Sequence, residues 1–324
     1  EDCDNAAQNM SDKTDAFRAN KWVALALKSR AALFAASIAK YSHAPVVSFS
    51  GEAVDMELIG IDPTEADYYY KQCIDASAKI IESGMYGLYG ANPASPDEAA
   101  RNYQRLFEDP VSVLGGVQEP ILIKGFNINS KLLVHNYDIW FRPNQLANGW
   151  PHPGRMNPIL DFVDAYEDYS DNGLGLSAPV PTRADGDETN YIGFNQSVQY
   201  KEYPMDNPLK IFENKDARLH ASMILPGSVW KETKILIQGG IVKPDGSIIF
   251  RSEGSAVGAD GKTYYTYGSD DKSQYSGFDP TGENYTRTGF LLKKFLQEKK
   301  DVQGSWGKGS TDWIEFRYGE ILLN

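Results

Sequence analysis

Cysteine is almost missing from this chain. Cys3 and Cys73 are its only two, too few for the disulfide framework of a small secreted scaffold. Cys3 follows Glu1 and Asp2, so it lacks the small apolar residues that precede a lipoprotein cleavage cysteine. Cys73 falls on the apolar face of a predicted helix and reads as buried packing. Histidine is equally sparse: His43, His135, His152 and His220 stand apart, none with a second His or Cys at metal-ligand spacing. Long apolar runs are missing too, since Ala31 to Ile38 falls well short of the roughly 18 to 20 residues that cross a bilayer. Positive charge is in deficit, with 32 Lys and Arg against 44 Asp and Glu and a net charge of -12. Such a chain repels phosphate backbones, which argues against nucleic acid as a partner. The sequence contains no Gly-x-Ser-x-Gly nucleophile elbow and no phosphate-binding glycine loop. No signal peptide stands at its start, as expected of a mature or truncated product.

Aromatic residues are plentiful: 19 Tyr, 14 Phe and 6 Trp in 324 residues, a length that suits one or two domains. Trp22, Tyr70, Phe107 and Phe162 are core residues by their helical spacing. Trp140, Trp150, Tyr191, Phe194, Tyr203 and Trp306 instead lie in aperiodic polar stretches, where an aromatic face is placed to stack on a sugar ring or a peptide. They are the candidate ligand-binding residues. A Gly-, Asp- and Ser-rich excursion over 253–287 adds Tyr264, Tyr265, Tyr267, Tyr275 and Tyr285. The carboxylate clusters, Asp185-Gly-Asp187-Glu188 and Asp270-Asp271, read as solvated turns. Their hard oxygens leave calcium open, although neither follows EF-hand spacing.

Along the chain, residues 1–13 are polar and expected to fray. Thr14 or Asp15 is the expected cap of a helix running through Lys21 to about Tyr41. Its Trp22, Leu25 and Ala26 match the first helix of a tetratricopeptide repeat. A second helix opens after Asp62-Pro63, carries Ala66, Tyr70 and Cys73 at the matching spacing, and ends at Ser83-Gly84. The long insertion 42–61 splits the pair. Ser95-Pro96-Asp97-Glu98 is a capping box for a third helix that stops before Pro110. Glu119 to Phe126 reads as a short strand. Asn157-Pro158 opens a helix with Ile159, Phe162, Val163 and Tyr166 on one face. In the last stretch, Ile314, Phe316 and Tyr318 alternate, and then Tyr318, Ile321 and Leu322 take helical spacing, so a strand runs into a helix.

That last stretch, Arg317-Tyr-Gly-Glu-Ile-Leu-Leu-Asn324, resembles the Arg-Tyr-Ala-Glu-x-Leu-Leu-Asn segment of the SusD/RagB family, surface-exposed nutrient-binding lipoproteins of Bacteroidetes outer membranes. Gly319 stands where the family usually has Ala. Further similar segments follow in order: Arg18 to Leu27, Asn157 to Glu167, Asn214-Lys-Asp-Ala-Arg218, Leu225-Pro-Gly227 with Trp230, and Thr288-Gly-Phe290 with Lys293, Lys294 and Phe295. Lys215 and Ala217 depart from the family's Asn-Arg-Asp-Pro-Arg. Asp216 and Arg218 are expected to tie a loop to a helix. In the family the last helix continues, so this chain is expected to be an internal piece of a longer protein.

The resemblance implies a mainly α, SusD-like fold with tetratricopeptide-type helix pairs, long irregular loops and a little β-sheet. It would form one domain over 1–324, with a repeat-type helical part at 14–110 and a loop-rich part at 111–324. It further implies non-catalytic binding of a nutrient, foremost an oligosaccharide, and delivery to a SusC-like TonB-dependent transporter. The place would be the extracellular face of the outer membrane, through a lipid anchor not present in this chain, with no cofactor. Three alternatives remain at this point: peptide cargo in the same system, a carbohydrate-active hydrolase, and a helical-repeat interaction module.

Overall fold

The computed structural model describes residues 1–42, 49–56, 58–115, 118–127, 129–130, 133–147, 153–170, 175–187, 201, 207–243, 245–250, 254–266, 277–281, 284–299 and 306–324. The fold is mainly helical, and the strands described pair only into two-stranded ribbons. The chain forms two compact units, each assembled from separate stretches.

The first unit comprises Glu1–Ala91, Asp109–Gly125 and Asp312–Asn324. Its main helix, Lys21–Tyr41, is capped by Asn20, whose side-chain oxygen accepts from the amides of Trp22 at 3.0 Å and Val23 at 3.1 Å. The expected caps, Thr14 and Asp15, are not the ones used; Asp15 instead closes its own turn on the Phe17 amide at 2.9 Å. This helix packs along a second, Ala66–Glu82, and Trp22, Leu25, Ala26, Ala76 and Ile80 join Ile121, Phe316 and Ile321 in one core. Deleting a side chain as buried as Leu25 costs about 2–5 kcal/mol. Lys21–Tyr41 is also long and apolar enough to cross a membrane by length and composition, which the short apolar runs did not suggest. Here its Leu25, Ala26 and Ala36 are buried in the protein.

Residues expected to fray form a helix, Asp2–Asn9. The Lys28 ammonium bonds both oxygens of Asp4, at 2.7 and 2.8 Å, and Ala7 packs on the core. These partners lie far away in sequence, so local polarity gave no sign of them. The closing stretch follows its predicted course: strand Trp313–Arg317 pairs antiparallel with Pro120–Lys124 and leads into helix Tyr318–Leu323. Arg317 meets the buried carboxylate of Glu119 at 2.8 Å, and that carboxylate also accepts from the Tyr89 amide at 2.7 Å. Arg30 grips Glu320 with two hydrogen bonds of 2.5 and 2.6 Å while its guanidinium lies over Phe316.

The second unit comprises Asn92–Glu108 and Phe126–Thr311. Helix Pro96–Glu108 starts at the predicted box: the Ser95 hydroxyl accepts from the Glu98 amide at 3.2 Å, and Glu98 accepts from the Ala94 amide at 2.8 Å. The helix expected from Asn157-Pro158 is shorter than its pattern, spanning only Leu160–Asp164. Val163 is buried, but Phe162, expected in the core, is 53% exposed. Glu167–Asp168 pairs with Leu176–Ser177 as a ribbon, so the chain leaves the helix before the apolar face can repeat. Lys215 anchors this ribbon from within, its ammonium donating to the carbonyls of Tyr166 and Ala178. Burial pulls the ammonium's pKa down, against the pull of Asp164, Asp168 and Glu167. Arg218 bonds Asp216 at 2.8 Å and Glu167 at 2.9 Å, which is the tie between loop and helix expected of that pair.

Candidate functional site

In the second unit, a five-residue helix, Tyr137–Phe141, presents Trp140. Two of its residues point inward and are buried, Asp138 and Ile139. The Asp138 carboxylate accepts from the Gln297 amide at 2.9 Å. Tyr137 donates its hydroxyl to the Lys294 carbonyl at 2.8 Å and sets its ring edge-on to Phe141 and Phe295. Burial pushes the Tyr137 phenol pKa well above its ordinary value, with a smaller push from Asp138, so it stays a neutral donor. With Asp138 and Ile139 fixed inside, Trp140 is left half-buried at the surface.

The segment that carries Trp306 is laid beside this helix by backbone bonds. His135 and Gly309 exchange amide-to-carbonyl hydrogen bonds of 2.9 and 3.0 Å, and the Asn136 side chain accepts from the Gly307 amide at 2.7 Å. The His135 ring fills the place where a side chain at position 309 would stand, which is why glycine is needed there. Its Nδ1 lies 3.2 Å from the Tyr137 amide and its Nε2 lies 3.1 Å from the Thr311 carbonyl. The tautomer with its proton on Nε2 satisfies both. Gly307, at φ +61°, turns the chain directly after Trp306.

The result is an indole pair. Trp140 and Trp306 meet edge to face, their ring centroids 5.9 Å apart and their planes at 85°. Trp306 remains 51% exposed. An exposed indole offers an apolar face for the C–H surface of a ring. Two of the six sequence candidates are therefore brought together. Trp150, Tyr191, Phe194 and Tyr203 lie outside the described residues.

Of the carboxylate clusters, Asp185 is bonded through both oxygens by Arg183, at 3.0 and 2.6 Å, and caps the Asp187 amide at 3.1 Å. Glu188, Asp270 and Asp271 lie outside the described residues. Among the described residues no group of three or more His, Cys, Asp or Glu side chains is placed to hold a metal. His220 is half-buried and donates its Nε2–H to the Phe212 carbonyl, 3.1 Å away; burial lowers its pKa, and the neighbouring Lys293 ammonium adds to that.

Tyr264 stands in the sequence as one of the tyrosines of the excursion, and the structure gives it a defined place. Its ring is held on a hairpin, Ser255–Val257 paired with Thr263–Tyr265, and its hydroxyl bonds Asp260 at 2.7 Å. The signal was present as Gly258 and Asp260 flanking a turn ahead of the aromatic.

The comparisons with known proteins agree on one group. The family model described as "SusD family" matches residues 129–324. A search of curated proteins finds no match. Among solved structures, a SusD-like protein from Bacteroides fragilis NCTC 9343 aligns with a TM-score of 0.54 at 17% identity, over 99% of this chain and 46% of its own. A SusD-like carbohydrate binding protein from the same organism aligns with a TM-score of 0.55 at 17% identity, over 99% of this chain and 43% of its own. The chain thus spans less than half the length of these two structures.

Proposed function

Because the chain belongs to the SusD family, we propose that it is a non-catalytic glycan-binding protein, capturing oligosaccharides at the surface of a Bacteroidetes outer membrane. The observation that carries this reading is the perpendicular Trp140–Trp306 pair with Trp306 half exposed. An indole held in place before binding loses little rotamer entropy when a pyranose face covers it, so more of the stacking energy appears as affinity. Sugar hydroxyls would be met by polar groups of the surrounding loops. The solved relative described as carbohydrate binding supports the substrate class. The captured glycan would pass intact to a SusC-like TonB-dependent transporter. The reading needs no cofactor, because stacking and hydroxyl hydrogen bonds are sufficient for capture.

The test is a calorimetric titration of the chain with neutral hexasaccharides (α-1,4- and β-1,4-glucans, β-1,4-xylan, β-1,4-mannan) and with extended peptides. Each ligand is recovered afterwards and its length checked. Saturable heat from a sugar that comes back uncleaved is the expected result. A shortened sugar would replace capture with hydrolysis, and heat from the peptides alone would replace the substrate class.

A further inference from the structure

A second aromatic is built with as much care as the indole pair, at the tip of the hairpin Ser255–Val257 and Thr263–Tyr265. The register sets Tyr264 opposite Ala256 and Thr263 opposite Val257, so Tyr264 shares a face with Ala256 and, diagonally, with Gly258. The turn is closed by two hydrogen bonds, from the Gly258 amide to the Lys262 carbonyl at 2.8 Å and from the Gly261 amide to the Gly258 carbonyl at 3.0 Å. Gly261 holds φ +77° there. The Tyr264 ring lies directly over Gly258, where an added Cβ would stand 2.7 Å from its Cε2. Its hydroxyl is fixed to Asp260 Oδ2 at 2.7 Å, and Asp260 Oδ1 accepts from the Lys262 amide at 3.0 Å. The side chain nevertheless remains 45% exposed.

Packing alone would account for an aromatic ring covering a glycine. It does not account for a ring whose hydroxyl is also tethered to a solvent-exposed carboxylate. Both fixtures restrict the ring's rotation while the residue remains 45% exposed, and such restriction lowers the entropic cost of stacking a ligand. The Asp260 carboxylate beside the ring keeps lone pairs available to accept from hydroxyls. The hydrogen bond from Tyr264 also holds its pKa below the usual carboxylate value, so it is ionised at neutral pH.

We propose that Tyr264 and Asp260 form a second sugar subsite, in which a pyranose stacks on the Tyr264 ring and donates a hydroxyl to Asp260. This deepens the glycan-binding reading and rests on it. Three groups divide the work. The Tyr264 ring is the platform, its hydroxyl tether sets the orientation, and Gly258 leaves room for the ring to lie flat.

The experiment follows ring resonances of Tyr264, assigned by their loss in Tyr264→Phe, while the hexasaccharides named above are titrated into the intact chain. The Trp306 indole resonance is followed in the same samples. Expected is a saturable shift of the Tyr264 signals, with Gly258→Ala, which keeps the ring but displaces it, weakening that response at least threefold. Tyr264 signals that stay in place while the Trp306 indole saturates would overturn the subsite and leave the main reading standing. If no glycan moves either residue, both fall. Unchanged Trp306 titration in Gly258→Ala shows that the variant is folded.

Discussion

Trp140 and Trp306 stand at 85° to each other with centroids 5.9 Å apart, and the segments that carry them are joined by the His135–Gly309 backbone pair. The two indoles thus lie together before any ligand arrives. Replacing Trp306 with Ala removes the platform without touching that frame. The expected loss is about tenfold or more in glycan affinity, roughly 1.4 kcal/mol, with the melting temperature nearly unchanged. Calorimetry and thermal denaturation on the same sample check both halves.

Gly309→Ala is the converse case. Its new Cβ would fall on the His135 ring and carbonyl, prising the Trp306 segment from the helix that bears Trp140. A destabilisation of about 1–3 kcal/mol is expected, together with weaker glycan binding although both indoles remain. Chemical denaturation beside a titration measures it. Full stability in this variant would show that the His135–Gly309 pair does not hold the site.

Gly319 stands where the resembling segment usually has Ala, and the structure supplies a reason. A Cβ at Gly319 would strike the Arg317 guanidinium, which is held by the buried carboxylate of Glu119. Alanine gains about 1 kcal/mol in a helix, yet leaving a buried charge without its partner costs about 3–5 kcal/mol. Gly319→Ala is therefore expected to destabilise the wild type and to stabilise an Arg317→Met background. A denaturation cycle over the four proteins reads the sign in each background, and the same sign in both would refute the argument.

Stability should also fall in mild acid through His220. Its folded-state pKa is lowered by burial and by Lys293 from the ordinary 6.5, so the unfolded chain takes up its proton first as pH drops. Stability is fully present above pH 6.5 and is lost progressively below it. His220→Gln keeps a donor for the Phe212 carbonyl and removes the titration, so its melting temperature should decline less between pH 7.5 and about 5.5. Parallel declines would assign the acid sensitivity to other groups.

Elements whose reasons are local were legible in the sequence. The capping box at Ser95 and the change of period at Tyr318 each became the element that their spacing implied. Elements held by distant partners were not. Helix Asp2–Asn9 depends on Lys28 reaching Asp4, and Phe162 lost its core role when the Glu167–Asp168 ribbon ended its helix early. The candidate site shows the same division. Trp140 and Trp306 could be chosen singly because each interrupts an aperiodic polar stretch. Their pairing is made by a bridge between His135 and Gly309, which no periodicity records.

The most direct test of glycan capture is an amide and indole correlation spectrum recorded while an α-1,4- or β-1,4-linked hexasaccharide is titrated into the chain. The account predicts that the Trp306 indole signal, assigned by Trp306→Ala, moves saturably while those of the buried Trp22 and Trp230 stay in place. A glycan that binds by calorimetry yet leaves the Trp306 signal unmoved would contradict it.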